Sequence, residues 1–140
     1  MEVSISNILR METVEGRPDD SFDHWIVYHF VWCTRGVKPL LVGETARECG
    51  EVLVVYCRER SWDILYLLIR PDHVRISLRV SPRDAPSDVA RYLKSHSAQL
   101  LRLAVPGLQR QAGIWTRPFY CSTSSIGDIQ ARLYLRHASG

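Results

Sequence analysis

No two of the four cysteines stand in a Cys-x-x-Cys pair; Cys33, Cys49, Cys57 and Cys121 are scattered along the chain. That excludes the spacing of a zinc knuckle and of a small secreted disulfide framework, so reduced and mostly buried thiols are expected. Long apolar runs are missing as well. Nowhere is there an uninterrupted stretch of about 18 apolar residues that could cross a bilayer, and residues 1–20 contain no apolar core of signal-peptide length. A cytoplasmic protein with no membrane partner is therefore expected. Nor is there a large excess of one charge: 18 Lys and Arg against 15 Asp and Glu leave +3. Such a balance is compatible with a polyanionic partner and is too small to establish one, so the placement of the arginines carries more information than their total.

What is present is a chain of 140 residues, 46% hydrophobic, long enough for one domain with a real core. Residues 1–20 read as a loose leader, ending in a polar stretch with Glu12, Glu15, Gly16, Pro18 and two aspartates, and residues 21–140 as the domain. Residues 25–34, WIVYHFVWCT, are aromatic and β-branched almost throughout and predict a strand buried on both faces. Cys49, Val52, Leu53, Tyr56 and Cys57 then recur at helical spacing, predicting an amphipathic helix over 44–60. An apolar strand over 62–69 follows, and Arg70, Pro71 and Asp72 supply a turn. Residues 73–80 alternate without a fault: Val74, Ile76, Leu78 and Val80 on one side, His73, Arg75, Ser77 and Arg79 on the other.

A second helix is expected after an N-cap at Ser87 or Asp88, with Val89, Leu93, Leu100, Leu101 and Ala104 inward, stopped by Pro106 and Gly107. Residues 113–123 predict a fourth strand in which Pro118 marks an edge or a bulge. A last helix capped by Ser124 or Ser125 would turn Ile126, Ile129 and Leu133 inward. The order β-α-β-β-α-β-α is that of an α+β, ferredoxin-like antiparallel sheet with both crossover helices on one face. The polar side of the third strand would then look out from the uncovered face. Such a face serves equally as a solvated surface, a dimer contact or a nucleic-acid platform. The usual RNA-recognition module is disfavoured, because this strand presents no exposed aromatics.

Five segments, read in order, carry more than any one of them: YHFVWCTRGVKPLL (28–41), RPDHVRISLRV (70–80), SPRDAPSDVARYLKSHSAQLL (81–101), GIWTRPFYCSTSS (113–125) and RLYLRH (132–137). Together they resemble the single-tyrosine HUH transposases of small insertion sequences, over nearly the whole domain. The resemblance implies a ferredoxin-like homodimer that cuts and rejoins single-stranded DNA at imperfect hairpins. It implies a strand on which two histidines flank an apolar residue, so that both imidazoles emerge on one face and bind Mg²⁺ or Mn²⁺. The cation polarises the scissile phosphate, and a helix-borne tyrosine attacks it to leave a 5′-phosphotyrosine link. A glutamine one turn after the tyrosine is a further ligand in that pattern.

By this resemblance His73 is the first histidine, Val74 the spacer and Tyr134 the nucleophile. Two positions depart: Arg75 replaces the second histidine, and Ala138 stands where the glutamine belongs. A guanidinium has no lone pair to donate. A dication at about 4 Å from its charge would be disfavoured by on the order of 8 kcal/mol at an effective dielectric near 20. Metal at His73 is thus expected to be weak or absent, with Gln130 and His137, on the same helix as Tyr134, as substitute ligands. Arg75 could instead brace a phosphate by bidentate hydrogen bonds.

For DNA contact, Arg91, Lys94, Ser95 and Arg102 share one helix stripe and join Arg35, Lys38, Arg79 and Arg83 as candidate phosphate ligands, although a solvated helix face would look the same. Trp32, Trp115, Phe119 and Tyr120 either stack bases or pack the core, and His29 belongs to the buried strand. The expected function is hairpin binding with impaired cleavage; the alternatives are an active transposase and a regulatory or structural dimer without catalysis.

Overall fold

A computed structural model describes residues 3–4, 25–124 and 134–136. The strands are β1 (Val3–Ser4), β2 (Ile26–Cys33), β3 (Asp63–Arg70), β4 (His73–Val80) and β5 (Tyr120–Ser122), and the helices are α1 (Gly43–Glu59) and α2 (Pro86–Ala104). They form one five-stranded sheet in the order β1-β3-β4-β2-β5, with every pairing antiparallel. Leaving out β1, this is the ferredoxin-like order expected from the sequence. Val3 and Ser4 add an outer strand against Ile69 and Leu68; the rest of the stretch read as a leader lies outside the described residues.

The alternation in β4 has the predicted consequence on the helix side. Val74, Ile76, Leu78 and Val80 are at most 1% exposed, in one core with Phe30 and Trp32 of β2, Cys49, Leu53 and Cys57 of α1, and Val89 and Leu93 of α2. On β2, Phe30, Val31, Trp32 and Cys33 are all fully buried, so the expectation of burial on both faces holds for its second half.

Three local expectations need correction. The start of α2 lies earlier, at Pro86, whose fixed φ suits a first helical position, and Ala85 makes no side-chain cap. The inward stripe of α2 runs through Val89, Ala90, Leu93, Ser97 and Leu101, whereas Leu100 and Ala104 are exposed. A polar Ser97 was invisible to a hydrophobic pattern. Its Oγ accepts from Trp115 Nε1 at 3.0 Å and donates to the Lys94 carbonyl at 3.1 Å, which satisfies it in the core.

The fourth strand is broken rather than continuous. Trp115 makes an isolated bridge to Thr34, Thr116 N donates to Cys33 O at 3.0 Å, and regular pairing resumes only at Tyr120, opposite Val31. Residues 117–119 form an unpaired bulge between the two pieces, with Arg117 and Pro118 exposed and Phe119 turned in against Phe30. Pro118 has no N–H to give a ladder, which accounts for the break. Residues 134–136 are helical, while Ile126, Ile129 and Leu133 of the expected last helix lie outside the described residues.

Candidate active site and basic groove

Register alone assembles the face opposite the helices. Cys33 pairs with His73, Val31 with Arg75, His29 with Ser77 and Val27 with Arg79. The sequence suggested that these β4 side chains stand open to solvent; instead His73 is 8% and Ser77 7% exposed, with Arg75 and Arg79 partly buried. The side assignment is right and the exposure is not. β4 is a central strand flanked by β2 and β3, and Tyr120 and Tyr134 pack over the fully buried Val31 beside it.

Tyr134 therefore lies on the same face as His73. Its hydroxyl donates to the Pro118 carbonyl at 2.9 Å and is in hydrogen-bonding reach of Thr116 and Cys33. Cys33 Sγ and Thr116 Oγ1 are themselves 3.2 Å apart. The ring sits 6.2 Å from that of Tyr120. Burial pushes the phenol pKa up to about 12. At neutral pH the group is a protonated donor, so attack on a phosphorus requires a base to take its proton.

His73 is held by its neighbour in sequence: Nδ1 lies 2.7 Å from Asp72 Oδ1. With the proton on Nδ1, that hydrogen bond leaves the Nε2 lone pair as the ligating atom, the arrangement typical of a metal-binding imidazole. Burial lowers the His73 pKa; Asp72 opposes the effect, and Arg70 and Arg75 reinforce it. The ring is a neutral imidazole at physiological pH.

The Arg75 guanidinium lies over the Tyr66 ring, 5.8 Å from its centroid. It lines a cavity of about 350 Å³ with His29, Leu65, Tyr66 and Ser77. His29 Nδ1 and Ser77 Oγ are 2.6 Å apart there, so His29 belongs to this polar pair as well as to its strand. Among the described residues no group of three or more His, Cys, Asp or Glu is placed to hold a metal ion. Around the tyrosine the described donors are the Thr116 hydroxyl, the Cys33 thiol and the Pro118 carbonyl, and His73 is the one imidazole that β4 presents on this face; a hard Mg²⁺ or Mn²⁺ ion prefers more oxygen and nitrogen ligands than these supply. Gln130 and His137 lie outside the described residues.

On the helix side a groove of about 780 Å³ opens between α2 and the segment that follows it. Arg91, Lys94 and Arg102 from the predicted basic stripe line it, facing Trp115, Arg117 and Phe119. Arg35 approaches its rim: a Cβ on Gly113 would stand 3.1 Å from Arg35 Nη1. Arg79 belongs to the opposite face of the sheet, and Arg83 and Lys38 lie on exposed loops. The eight candidates thus do not form one continuous path.

Within the groove the cations differ in availability. Lys94 Nζ is committed to the carbonyls of Thr116 and Arg117 at 2.6 and 2.5 Å, and Arg102 donates to Gln111 O at 3.1 Å. Arg91 pairs with Asp88 and covers Tyr92. Arg117 is exposed at the rim, and sequence reasoning missed it. Its signal was present: an arginine immediately before the strand-breaking Pro118, between two aromatics. Trp32, one of the aromatics that could have stacked bases, is fully buried edge-on to Trp115 and cannot do so.

Comparison with known proteins agrees with this geometry. A family model described as "Transposase IS200 like" matches residues 23–135. The ISDra2 transposase TnpA of Deinococcus radiodurans is 29% identical over 129 residues, covering 90% of this chain and 89% of that protein. The transposase for insertion sequence element IS200 of Salmonella typhimurium is 26% identical over 113 residues, or 79% and 74% of the two chains. Among solved structures, a transposase crystal structure from Deinococcus radiodurans R1 superposes with a TM-score of 0.76 at 21% identity, covering 90% of this chain and 98% of that one. A REP-associated tyrosine transposase bound to a REP hairpin superposes with a TM-score of 0.55 at 15% identity, covering 90% and 68%.

Proposed function

The chain belongs to the IS200-like transposase family, a family of DNA transposition, and from that premise we propose that it binds single-stranded DNA hairpins as a homodimer while metal-dependent cleavage is impaired. What supports this reading is a tyrosine at the position the resemblance gives the nucleophile, beside a ligand set that is incomplete among the described residues. Tyr134 is seated beside Cys33, the cross-strand partner of His73. Arg75 then occupies the next outward position on the strand, where a second imidazole would be needed to complete the cation's shell.

Hairpin binding is supported by the structural likeness to a transposase solved with a REP hairpin. It is also supported by the groove, which combines guanidinium groups with partly exposed Trp115 and Phe119. Phosphates suit the former and unpaired bases the latter. The groove is bounded by the same 113–119 segment whose Pro118 carbonyl holds Tyr134, so one segment separates the groove from the phenol. A gel-shift titration with a hairpin single strand against duplex competitor tests the reading. A salt-sensitive complex that survives the duplex is expected, and the absence of any complex would refute it.

A further inference from the structure

Lys94 was expected to reach outward to a phosphate, and its ammonium turns inward instead. Nζ donates to the carbonyls of Thr116 at 2.6 Å, Arg117 at 2.5 Å and Pro118 at 3.4 Å. These three consecutive carbonyls flank the bulge, where the strand ladder supplies no partners. An ammonium has three hydrogens to give, and here all three face backbone oxygen. The Pro118 oxygen is also the acceptor for the Tyr134 hydroxyl. One carbonyl thus joins the lysine of α2 to the proposed nucleophile.

We propose that Lys94 is a positioning residue for Tyr134: by gathering the 116–118 carbonyls it fixes the bulge in the shape that seats the phenol. The consequence for catalysis rests on the reading of Tyr134 as the nucleophile; the seating itself does not. Two neighbouring ties show why the lysine is needed. Trp115 is held by Ser97, and Thr116 by the Cys33 carbonyl, but these anchors stop before Arg117. Arg117 and Pro118 are exposed; among the described contacts Lys94 links the Arg117 carbonyl back to the body of the domain and shares the Pro118 carbonyl with Tyr134. A half-buried charge is costly to leave unmet, so moving the bulge away from Lys94 carries a penalty. Burial lowers the Lys94 pKa and Cys33 opposes that shift, while hydrogen bonding to three carbonyls suits the charged form.

The test uses the full chain with tyrosine ¹³C-labelled at Cζ, in which the Tyr134 resonance is assigned by its loss in Tyr134→Phe. In Lys94→Met and Lys94→Gln the Tyr134 signal is expected to move toward the free-tyrosine position, by more in Met than in Gln. The other tyrosines and the melting temperature should change little. Lys94→Gln retains donor hydrogens and carries the test if Lys94→Met does not fold. In parallel, hairpin binding across a salt series should keep its slope in both variants, because the lysine's charge is spent on carbonyls. An unmoved Tyr134 resonance overturns the proposal. So does a salt slope reduced by about one, the mark of a lost phosphate contact. Because the resonance reads the phenol's pose without any cleavage, failure of Arg75→His to form a tyrosine–DNA adduct with manganese would count against the nucleophile reading and leave this one standing.

Discussion

Cys33 on β2 stands directly across from His73 on β4, and its sulfur lies 3.2 Å from Thr116 Oγ1, two residues before the carbonyl that holds the Tyr134 phenol. The phenol and the strand imidazole thus lie toward the same end of the sheet. The phenol stays there by donating to Pro118 O.

Removing that donor should separate stability from binding. Tyr134→Phe keeps the ring against Val31 and Tyr120 and deletes one exposed hydrogen bond, worth at most about 1 kcal/mol. Urea unfolding should show a midpoint lowered accordingly. Hairpin affinity should stay within about twofold of the parent, since the phenol points at its own backbone.

Arg117 should behave as a phosphate ligand where Lys94 does not. It is exposed on the groove rim. Arg117→Ala is expected to weaken hairpin binding by a similar factor for every sequence and to reduce the salt slope by about one. A sequence-dependent loss would instead indicate contact with a base.

The pH dependence of stability follows from His73. Its folded pKa lies below the ordinary 6.5 because of burial, so on acidification the unfolded chain takes the proton first. The stabilisation is complete above 6.5 and is lost as pH falls through the folded pKa. His29 is lowered in the same direction, also by burial. Denaturation midpoints at descending pH should therefore fall less steeply in His73→Gln than in the parent, with a residual slope from His29.

Arg75→His is expected to create metal affinity. The register places residue 75 on the same face as His73, so the substitution puts two imidazoles on one strand face and removes a fixed positive charge. Calorimetry with manganese should show binding at least about tenfold tighter than in the parent, equivalent to ~1.4 kcal/mol.

Much of this architecture could be read from local pattern. The strict alternation of residues 73–80 fixed both the strand and the side each residue takes, and the apolar stripe of α1 was visible at Cys49, Leu53, Tyr56 and Cys57. What failed depended on tertiary context. Burial of His73 and Ser77 requires knowing that β4 is central and that Tyr134 folds back over β2. Ser97 enters the core only because Trp115 arrives from elsewhere to bond it. Lys94 looked like a surface cation because the carbonyls that claim it lie 22 to 24 residues away. Pro118 announced a break, but nothing in one dimension showed that the freed carbonyls would serve both a lysine and a tyrosine.

The account stands or falls on covalent capture of DNA by Tyr134. Parent and Arg75→His proteins are incubated with manganese and a single-stranded hairpin substrate whose cleavage traps the phosphotyrosine, then run on a denaturing gel. The account predicts that the parent binds the hairpin but yields no covalent adduct, while Arg75→His yields one that disappears in Tyr134→Phe. A manganese-dependent adduct formed by the parent itself would contradict it.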